Sequence, residues 1–215
     1  AMGVGRFGIV TSGNRLDGEE IERVVQAVRM IKNKVGIKVC GSLGALSKAD
    51  LLRLKQAGLT RYHHNIETSR RFYPDIVSTH SFDERISTIA AAKEAGLEIC
   101  SGGIIGMGET WADRIDMACT LRDLKVDSVP LNVLIPIKGT PLGQTEPISV
   151  EDVLRTICIF RTILKDKTIK IAAGREAVLK DRQLKGFLAG ANGMIIGGYL
   201  TVKGADMKDD YALIE

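Results

Sequence analysis

The chain has 215 residues, of which 45% are hydrophobic and 26% charged, with a formal net charge of +4. This is long enough for one domain with a sizeable core, and the mixing of basic with acidic residues argues against a nucleic-acid-binding surface. No apolar run approaches the ~18 residues of a membrane span, no signal peptide is recognisable, and the four cysteines are too scattered for a disulfide framework, so we predict a cytoplasmic protein.

One pattern recurs along the chain: a short apolar strand that ends in small or polar residues, followed by a charged amphipathic helix. Successive strands begin roughly 25–40 residues apart, which is typical of βαβ units. Strands are predicted at 6–12, 37–43, 61–67, 97–103, 128–135, 169–174 and 194–197. Helices are predicted between them at 18–34, 48–57, 83–95, 111–124, 150–164 and 182–189.

Seven such units in a row predict an α/β fold, a TIM-type (β/α) barrel, rather than an open sheet. Two predicted helices end in Ala-Gly-Leu, at 57–59 and 95–97, where glycine suits the positive φ that often follows a helix. The segment 1–7 has a similar form but no helix before it. We therefore expect a single, incomplete barrel domain over 1–215 whose first βα unit is missing. The alternative is that Ala1 and Met2 are a cloning scar before a natural start.

Polar side chains lie at the end of the third predicted strand. His63, Asn65 and Glu67 alternate along it and are expected to share one face. The carboxyl ends of barrel strands carry the active site in TIM-barrel enzymes. These side chains are therefore candidates for binding a ligand, and the alternative is a strand end that is merely solvated.

Two cysteines, Cys40 and Cys100, occupy similar places on the second and fourth predicted strands and are expected to face the barrel axis. A free cysteine in a core is often only a small apolar residue. Two on one wall, each followed by small residues, favour an iron–sulfur site instead. Cys119 and Cys158 fall within helical patterns and are interpreted as packing residues.

Two further features lie near strand ends. The glycine-rich segment 102–108 would let the backbone approach a ligand closely, although it matches neither a dinucleotide-binding nor a Walker motif. Asn132 has an amide that both donates and accepts, which suits a ureido or carboxylate ligand, or else bonds its own backbone at the strand end. Arg175 and Glu176 are interpreted as a structural pair.

Taken in order, these segments resemble the biotin synthases over essentially the whole chain, and together they are a specific signal. The segments that match are Tyr-His-His-Asn-Ile-Glu-Thr-Ser at 62–69 with Phe-Tyr at 72–73, Cys-Ser-Gly-Gly-Ile at 100–104 with Gly106 and Gly-Glu-Thr at 108–110, Ser-Val-Pro-Leu-Asn at 128–132, Lys-Gly-Thr-Pro-Leu at 138–142, Ala-Gly-Arg-Glu at 173–176, Ala-Gly-Ala-Asn at 189–192 and Gly-Gly-Tyr-Leu-Thr at 197–201.

The resemblance implies a radical-SAM enzyme. Such an enzyme uses S-adenosylmethionine and a [4Fe-4S] cluster to form a radical that abstracts hydrogen from dethiobiotin, and an auxiliary iron–sulfur cluster provides sulfur. It also implies a reduced flavodoxin or ferredoxin as electron donor and leaves a homodimer open. The Cys-x-x-x-Cys-x-x-Cys motif of the family does not occur in residues 1–215, so this chain alone is expected to be inactive.

The resemblance also assigns roles to individual residues. It implies that Asn65, Asn132 and His63 bind dethiobiotin, and that Glu67, with Asn65, binds the ribose of S-adenosylmethionine. The other residues expected near that cofactor are Arg85 and the backbone of 102–106, which includes Gly102, Gly103 and Ile104.

The auxiliary cluster is where the chain departs from the best-known family pattern, in which three cysteines and one arginine hold a [2Fe-2S] cluster. Cys40 and Cys100 match two of the cysteines, but Gly8 stands at the third and Lys170 at the arginine. Glycine offers no ligand, and an ammonium group is a poor one unless burial deprotonates it. We expect a different auxiliary cluster, anchored by Cys40 and Cys100, with Lys170 near it and further ligands from a missing segment or from added sulfide.

Two other functions stay open. One is another radical-SAM enzyme of the same subgroup, such as a hydrogenase-maturation or methylornithine-type enzyme, although the pair of Cys40 and Cys100 favours sulfur insertion. The other is a non-catalytic barrel that binds a small ligand or a partner, which the absence of the three-cysteine motif supports. An upstream segment with that motif would decide between an enzyme and a binding module.

Overall fold

The computed structural model describes residues 5–197 and 207–214, so the predictions for 1–4 and 198–201 lie outside the described residues. Contacts within the chain divide it into two compact units, one made of 1–66 and 77–101 and the other of 67–76 and 102–215. Within the described ranges, no helix is both long and apolar enough to cross a membrane.

Parallel strands alternate with helices in both units. In chain order the strands are β1 (Arg6–Val10), β2 (Lys38–Ser42), β3 (Leu59–His63), β4 (Glu98–Cys100), β5 (Gly103–Ile105), β6 (Ser128–Val133), β7 (Thr168–Ile171) and β8 (Gly193–Met194). The α-helices are α1 (Gly18–Val35), α2 (Lys48–Ala57), α3 (Tyr73–Ile76), α4 (Phe82–Glu94), α5 (Trp111–Asp123), α6 (Val150–Leu164), α7 (Arg175–Leu179), α8 (Gln183–Leu188) and α9 (Met207–Ile214). Strands β1 to β4 pair in that order in the first unit and β5 to β8 in the second, and every pair is parallel.

Local signals explain where the longer helices begin and end. Before α1, the Asp17 carboxylate accepts the N–H of Glu20 (2.8 Å) and the Glu20 carboxylate accepts the N–H of Asp17 (2.9 Å), which together form a capping box. The helix ends at Gly36, whose φ of 72° suits glycine. Helices α2 and α6 have the predicted bounds, because Ser47 and Ser149 cap them.

Strands β2, β3 and β4 of the first unit each have one face against helices. On β2, Val39 and Gly41 are buried while Cys40 and Ser42 are half-buried. The helix-facing strand residues meet α1, α2 and α4, whose buried residues include Val28, Leu54 and Ile89. Burial of such side chains stabilises the unit by roughly 1.5–3 kcal/mol each. The opposite face, which carries Cys40, is therefore the face that a ligand can reach.

Most predicted strands end a few residues later than the observed ones, and two of the differences bear on the site. The third was predicted at 61–67, but β3 spans Leu59–His63. The predicted alternation nevertheless continues past the strand, because His63, Asn65 and Glu67 are half-buried while His64 and Ile66 are buried. The fourth, predicted at 97–103, is two short strands, β4 and β5. A Cβ on Gly102 would lie 2.0 Å from the carbonyl oxygen of Pro130, and Pro130 has no N–H with which to extend the ladder there. The short helices α3, α7 and α9 were not predicted.

Candidate functional site

One row of residues crosses the four strands of the first unit and contains the first predicted cluster ligand. Gly8 pairs with Cys40, Cys40 with Arg61, and Arg61 with Glu98. Residues paired across parallel strands project their side chains to the same face. Gly8, where the resemblance would lead one to expect a third cysteine, is therefore the direct neighbour of Cys40.

Cys100 lies in the next row towards the carboxyl ends of the strands, where it pairs with His63. Cys100 is two strand spacings and one row away from Cys40, so in a flat sheet the two Cα atoms would be about 12 Å apart. The strand pairing thus places both cysteines on one face, with Arg61 and His63 on the strand between them. Cys119 is half-buried and Cys158 exposed, both on helices.

Three charged side chains lie on the same face and were not predicted as site residues. Glu98 accepts hydrogen bonds from Arg6 Nη2 (2.9 Å) and Arg61 Nε (2.9 Å). Arg6 also donates to the hydroxyl of Thr60. Burial tends to raise the pKa of Glu98, but the guanidinium groups of Arg6 and Arg61 hold it below its usual value. Two cations therefore surround one carboxylate beside Cys40.

Asn65 and Arg85 come together in the first unit. Arg85 Nη1 donates to the carbonyl oxygen of Asn65 (2.9 Å), and its Nη2 lies 2.7 Å from His80 Nε2. The neighbouring His64 is buried, and this burial, aided by the positive charge of Arg85, lowers its pKa to about 3. The sequence predicted that Asn65 and Arg85 lie near a bound ligand. In the structure, Arg85 holds the backbone of Asn65 in place through this hydrogen bond.

Glu67 belongs to the second unit and has a backbone φ of 69°, which is uncommon for residues other than glycine. Its N–H donates to the carbonyl oxygen of Gly102 (3.2 Å), and its own carbonyl oxygen accepts the N–H of Ile104 (2.9 Å). A Cβ on Gly103 would lie 2.2 Å from that oxygen. Gly102 and Gly103 are thus required by backbone packing, whatever ligand lies along them.

Asn132 lies on β6 of the second unit, opposite Ile104. Its Nδ2 donates to the carbonyl oxygen of Gly103 (3.2 Å), and its Oδ1 accepts the N–H of Ala173 (3.2 Å). The amide therefore links the backbones on both sides of β6 rather than bonding its own. It keeps one N–H and one lone pair for a ligand.

Lys170 is half-buried on β7, where it pairs with Pro130 and Gly193. The described ranges 5–197 and 207–214 hold no group of three or more His, Cys, Asp or Glu side chains arranged to bind a metal ion. Cys40 and Cys100 share one face and could supply two thiolate ligands to a cluster, but in the described part of the chain they belong to no larger group of such ligands.

Two carboxylates at the start of α5 were missed by sequence reasoning. Glu109 binds the loop after β5, and Asp113 binds the segment that follows Glu67. The pattern Thr110-x-x-Asp113 does signal a helix start. It does not reveal that the same carboxylate reaches a segment more than 40 residues away.

Two family models match the chain. The Radical SAM superfamily matches residues 1–121, and the Biotin and Thiamin Synthesis associated domain matches residues 130–215. Among curated proteins, the biotin synthase of Thermotoga petrophila is 52% identical over 215 residues, covering 100% of this chain and 72% of that protein. The biotin synthase of Clostridium perfringens is 52% identical over 213 residues, with 99% of this chain and 66% of that protein covered.

Solved structures show the fold. The structure of methylornithine synthase aligns with a TM-score of 0.80 at 20% identity, covering 98% of this chain and 72% of that one. The FeFe-hydrogenase maturase HydG from Carboxydothermus hydrogenoformans aligns with a TM-score of 0.79 at 18% identity, covering 99% and 55%. The predicted fold class, an α/β fold of the incomplete TIM-barrel type, is confirmed. With half of its residues identical to those of curated relatives along its whole length, this chain belongs to the biotin synthase family within the radical SAM superfamily.

Proposed function

We propose that this chain carries the substrate and cofactor residues of a biotin synthase, which inserts sulfur into dethiobiotin. The observation that carries the proposal is the 52% identity to a biotin synthase over all 215 residues. The likeness to methylornithine synthase, at 20% identity, concerns the fold and favours no second activity.

The residues of the chain bind and orient the reactants. When bound, S-adenosylmethionine and the iron–sulfur clusters supply the radical and the sulfur atom. Glu67 and Asn65 hold the ribose of S-adenosylmethionine, Arg85 lies near that cofactor, and the backbone of 102–104 lies along it. Asn65, Asn132 and His63 bind dethiobiotin. The braced backbone of Asn65 and the linked amide of Asn132 support these roles, because both groups are held in place before a ligand binds.

The auxiliary cluster is anchored by the thiolates of Cys40 and Cys100. Their position on one face, in adjacent rows, supports this assignment. Lys170, at the family's arginine position, pairs with the negative charge of the cluster. Further ligands come from outside residues 1–215 or from added sulfide, since Gly8 has no side chain to offer.

Two preparations test the enzymatic proposal: residues 1–215 alone, and the protein at its full natural length, both reconstituted with iron and sulfide under anaerobic conditions. Residues 1–215 contain no Cys-x-x-x-Cys-x-x-Cys motif, so this chain alone is expected to form no 5′-deoxyadenosine from S-adenosylmethionine with a reductant. The full-length protein is expected to convert dethiobiotin to biotin. Activity from the short chain, or none from the full-length protein, would contradict the proposal.

Single substitutions test the cluster anchors. Cys40→Ala and Cys100→Ala in the full-length protein are expected to abolish assembly of the auxiliary cluster, measured by iron content and Mössbauer spectroscopy. The wild-type spectrum is expected to differ from that of a [2Fe-2S] centre. Cys158→Ala is the matched control, because that exposed helix residue is expected to leave the cluster unchanged. A cluster that survives both anchor substitutions would rule the assignment out.

The substrate residues need a test that separates binding from folding, because Asn132 also joins strands. Asn65→Ala and Asn132→Ala are each expected to abolish most turnover in the full-length protein. Asn132→Asp keeps the acceptor for Ala173 N–H and loses the donor, so it is expected to keep more stability than Asn132→Ala while turnover stays low. Near-normal activity in both alanine variants would overturn the assignment.

The proposed function also implies an electron donor, an assembly and a location in the cell. A reduced flavodoxin or ferredoxin is the proposed electron donor, which assays with each donor would compare. A homodimer is the proposed assembly, and sedimentation of the full-length protein tests it. The cytoplasm is the proposed location, because thiolate ligands need reducing surroundings.

A further inference from the structure

The start of α5 holds two buried carboxylates that each reach a different loop of the second unit. Glu109 accepts the N–H groups of Gly106 (2.8 Å) and Met107 (2.7 Å), and Arg114 Nε donates to it (2.7 Å). Glu109 is 7% exposed and Asp113 2%. Both carboxylates are therefore almost enclosed by the protein, and the loops bond to acceptors that solvent barely reaches.

Asp113 holds the segment that follows Glu67. Its Oδ1 accepts the hydroxyl of Ser69 (2.6 Å) and the Nε of Arg71 (3.0 Å). Its Oδ2 accepts the N–H (2.8 Å) and the hydroxyl (2.6 Å) of Thr110, and Arg71 Nη2 as well. Burial opposes its ionisation, but the hydrogen bonds from Ser69, Thr110 and Arg71 lower the pKa of Asp113 well below its usual value.

Ser69 links the carboxylate of Asp113 to the backbone next to Glu67. It is fully buried, its hydroxyl also accepts the N–H of Phe72 (3.1 Å), and it stands two residues after Glu67. On the other side, the N–H and the carbonyl oxygen of Glu67 are both bonded within 102–104. A left-handed φ at a residue such as Glu67 is unfavourable and persists only where its surroundings over-determine it. These bonds on two sides supply that constraint.

We propose that Asp113, acting through Ser69, is a positioning residue that holds Glu67 in its left-handed conformation and so presents its carboxylate to the ribose of S-adenosylmethionine. The inference rests on the proposed role of Glu67. Asp113 does not touch the cofactor in this scheme. It sets the affinity for the cofactor by fixing the chain two residues after the residue that binds it.

The first test compares Ser69→Ala with Thr110→Ala in the full-length holoenzyme. Ser69→Ala removes the hydrogen bond between Ser69 and Asp113. Thr110→Ala removes the N-cap of α5, which also bonds Asp113, and leaves the bond from Ser69 to Asp113 in place. Ser69→Ala is expected to weaken S-adenosylmethionine binding about tenfold, measured by equilibrium dialysis. Thr110→Ala is expected to lower stability while leaving that affinity within about twofold of wild type. Equal effects of the two variants on affinity would reduce Asp113 to a structural role and overturn the proposal.

The second test does not depend on the cofactor. Because Ile104 N–H donates to the carbonyl oxygen of Glu67, its hydrogen exchange reports on whether Glu67 is held. Faster exchange at Ile104 is expected in Ser69→Ala and Asp113→Asn, but not in Thr110→Ala. Unchanged exchange in the first two variants would overturn the positioning role.

Glu67→Ala, measured alongside, separates this inference from the proposed function. It is expected to weaken S-adenosylmethionine binding at least as much as Ser69→Ala does. If Glu67→Ala binds normally, the assignment of Glu67 to the ribose fails, and exchange at Ile104 still decides whether Asp113 holds Glu67.

Discussion

The guanidinium of Arg6 lies 2.9 Å from the carboxylate of Glu98, although the two residues are 92 positions apart and stand on the first and fourth strands of their sheet. In a flat sheet these strands would be about 14 Å apart. Since side chains stand roughly perpendicular to a sheet, the contact indicates that the first unit curls towards the face that carries Cys40. The ion pair spans the face that carries Cys40, on the side of Cys40 where the strands begin.

Removal of this carboxylate is expected to destabilise the protein. Arg6 and Arg61 are mostly buried and would keep their charges without a partner, while the Glu98 side chain is 41% exposed. After allowance for solvent screening, Glu98→Ala is expected to lower the free energy of unfolding by about 1 kcal/mol in urea titrations. A double-mutant cycle with Arg6→Ala isolates the pair. The control is Glu94→Ala, because the exposed ion pair of Glu94 with Lys48 is expected to contribute nothing measurable to stability. Equal losses of stability in Glu98→Ala and Glu94→Ala would mean that the pair of Arg6 and Glu98 contributes no more than a surface ion pair.

His64 makes stability depend on pH. Burial, then the charges of Arg85, His63 and His80, lower its pKa to about 3 from 6.5. Between these values the unfolded chain binds a proton that the folded protein does not, so stability falls as pH falls from 6.5 towards 3. The slope is at most about 1.4 kcal/mol per pH unit. His64→Gln is expected to flatten the dependence between pH 4.5 and 6.5, where most carboxylates stay charged; an unchanged slope would exclude His64 as its source.

Gly103 is expected to tolerate no side chain. A Cβ there would lie 2.2 Å from the carbonyl oxygen of Glu67 and 2.6 Å from Met117 Sδ. Gly103→Ala is therefore expected to lower the free energy of unfolding by about 1–3 kcal/mol. Gly18→Ala is the matched control, because a Cβ at that first residue of α1 meets nothing within 4 Å and alanine favours a helix. Wild-type stability in Gly103→Ala would refute the packing argument.

Gly8 offers a gain-of-ligand experiment for the auxiliary cluster. It pairs directly with Cys40, and a Cβ at Gly8 meets nothing within 4 Å, so Gly8→Cys is expected to place a third thiol beside Cys40 without strain. Together with Lys170→Arg it restores the ligand types of the better-known family pattern. The double variant, at full natural length, is expected to show the Mössbauer spectrum of a [2Fe-2S] centre. A spectrum unchanged from wild type would mean that these two positions do not select the cluster.

Much of the architecture was predictable because its signals are local. The capping residues Asp17, Ser47 and Ser149 and the glycine at 36 mark helix ends within a few residues of the turns they satisfy. The similar places of Cys40 and Cys100 on their predicted strands were enough to predict that both face the barrel axis. Such patterns depend on neighbours in the chain, so the sequence by itself determined the βα order and the face of each cysteine.

Tertiary structure decided what depends on distant residues. The break between β4 and β5 arises where Gly102 meets Pro130, and the left-handed Glu67 is held by the backbone of 102–104 and, through Ser69, by Asp113. Strand register placed Cys40 and Cys100 in adjacent rows, and curl brought Arg6 to Glu98. Each of these features needs a partner at least 20 positions away, and only folding makes such contacts. No period or cap in the sequence encodes which distant group will satisfy a given donor or acceptor.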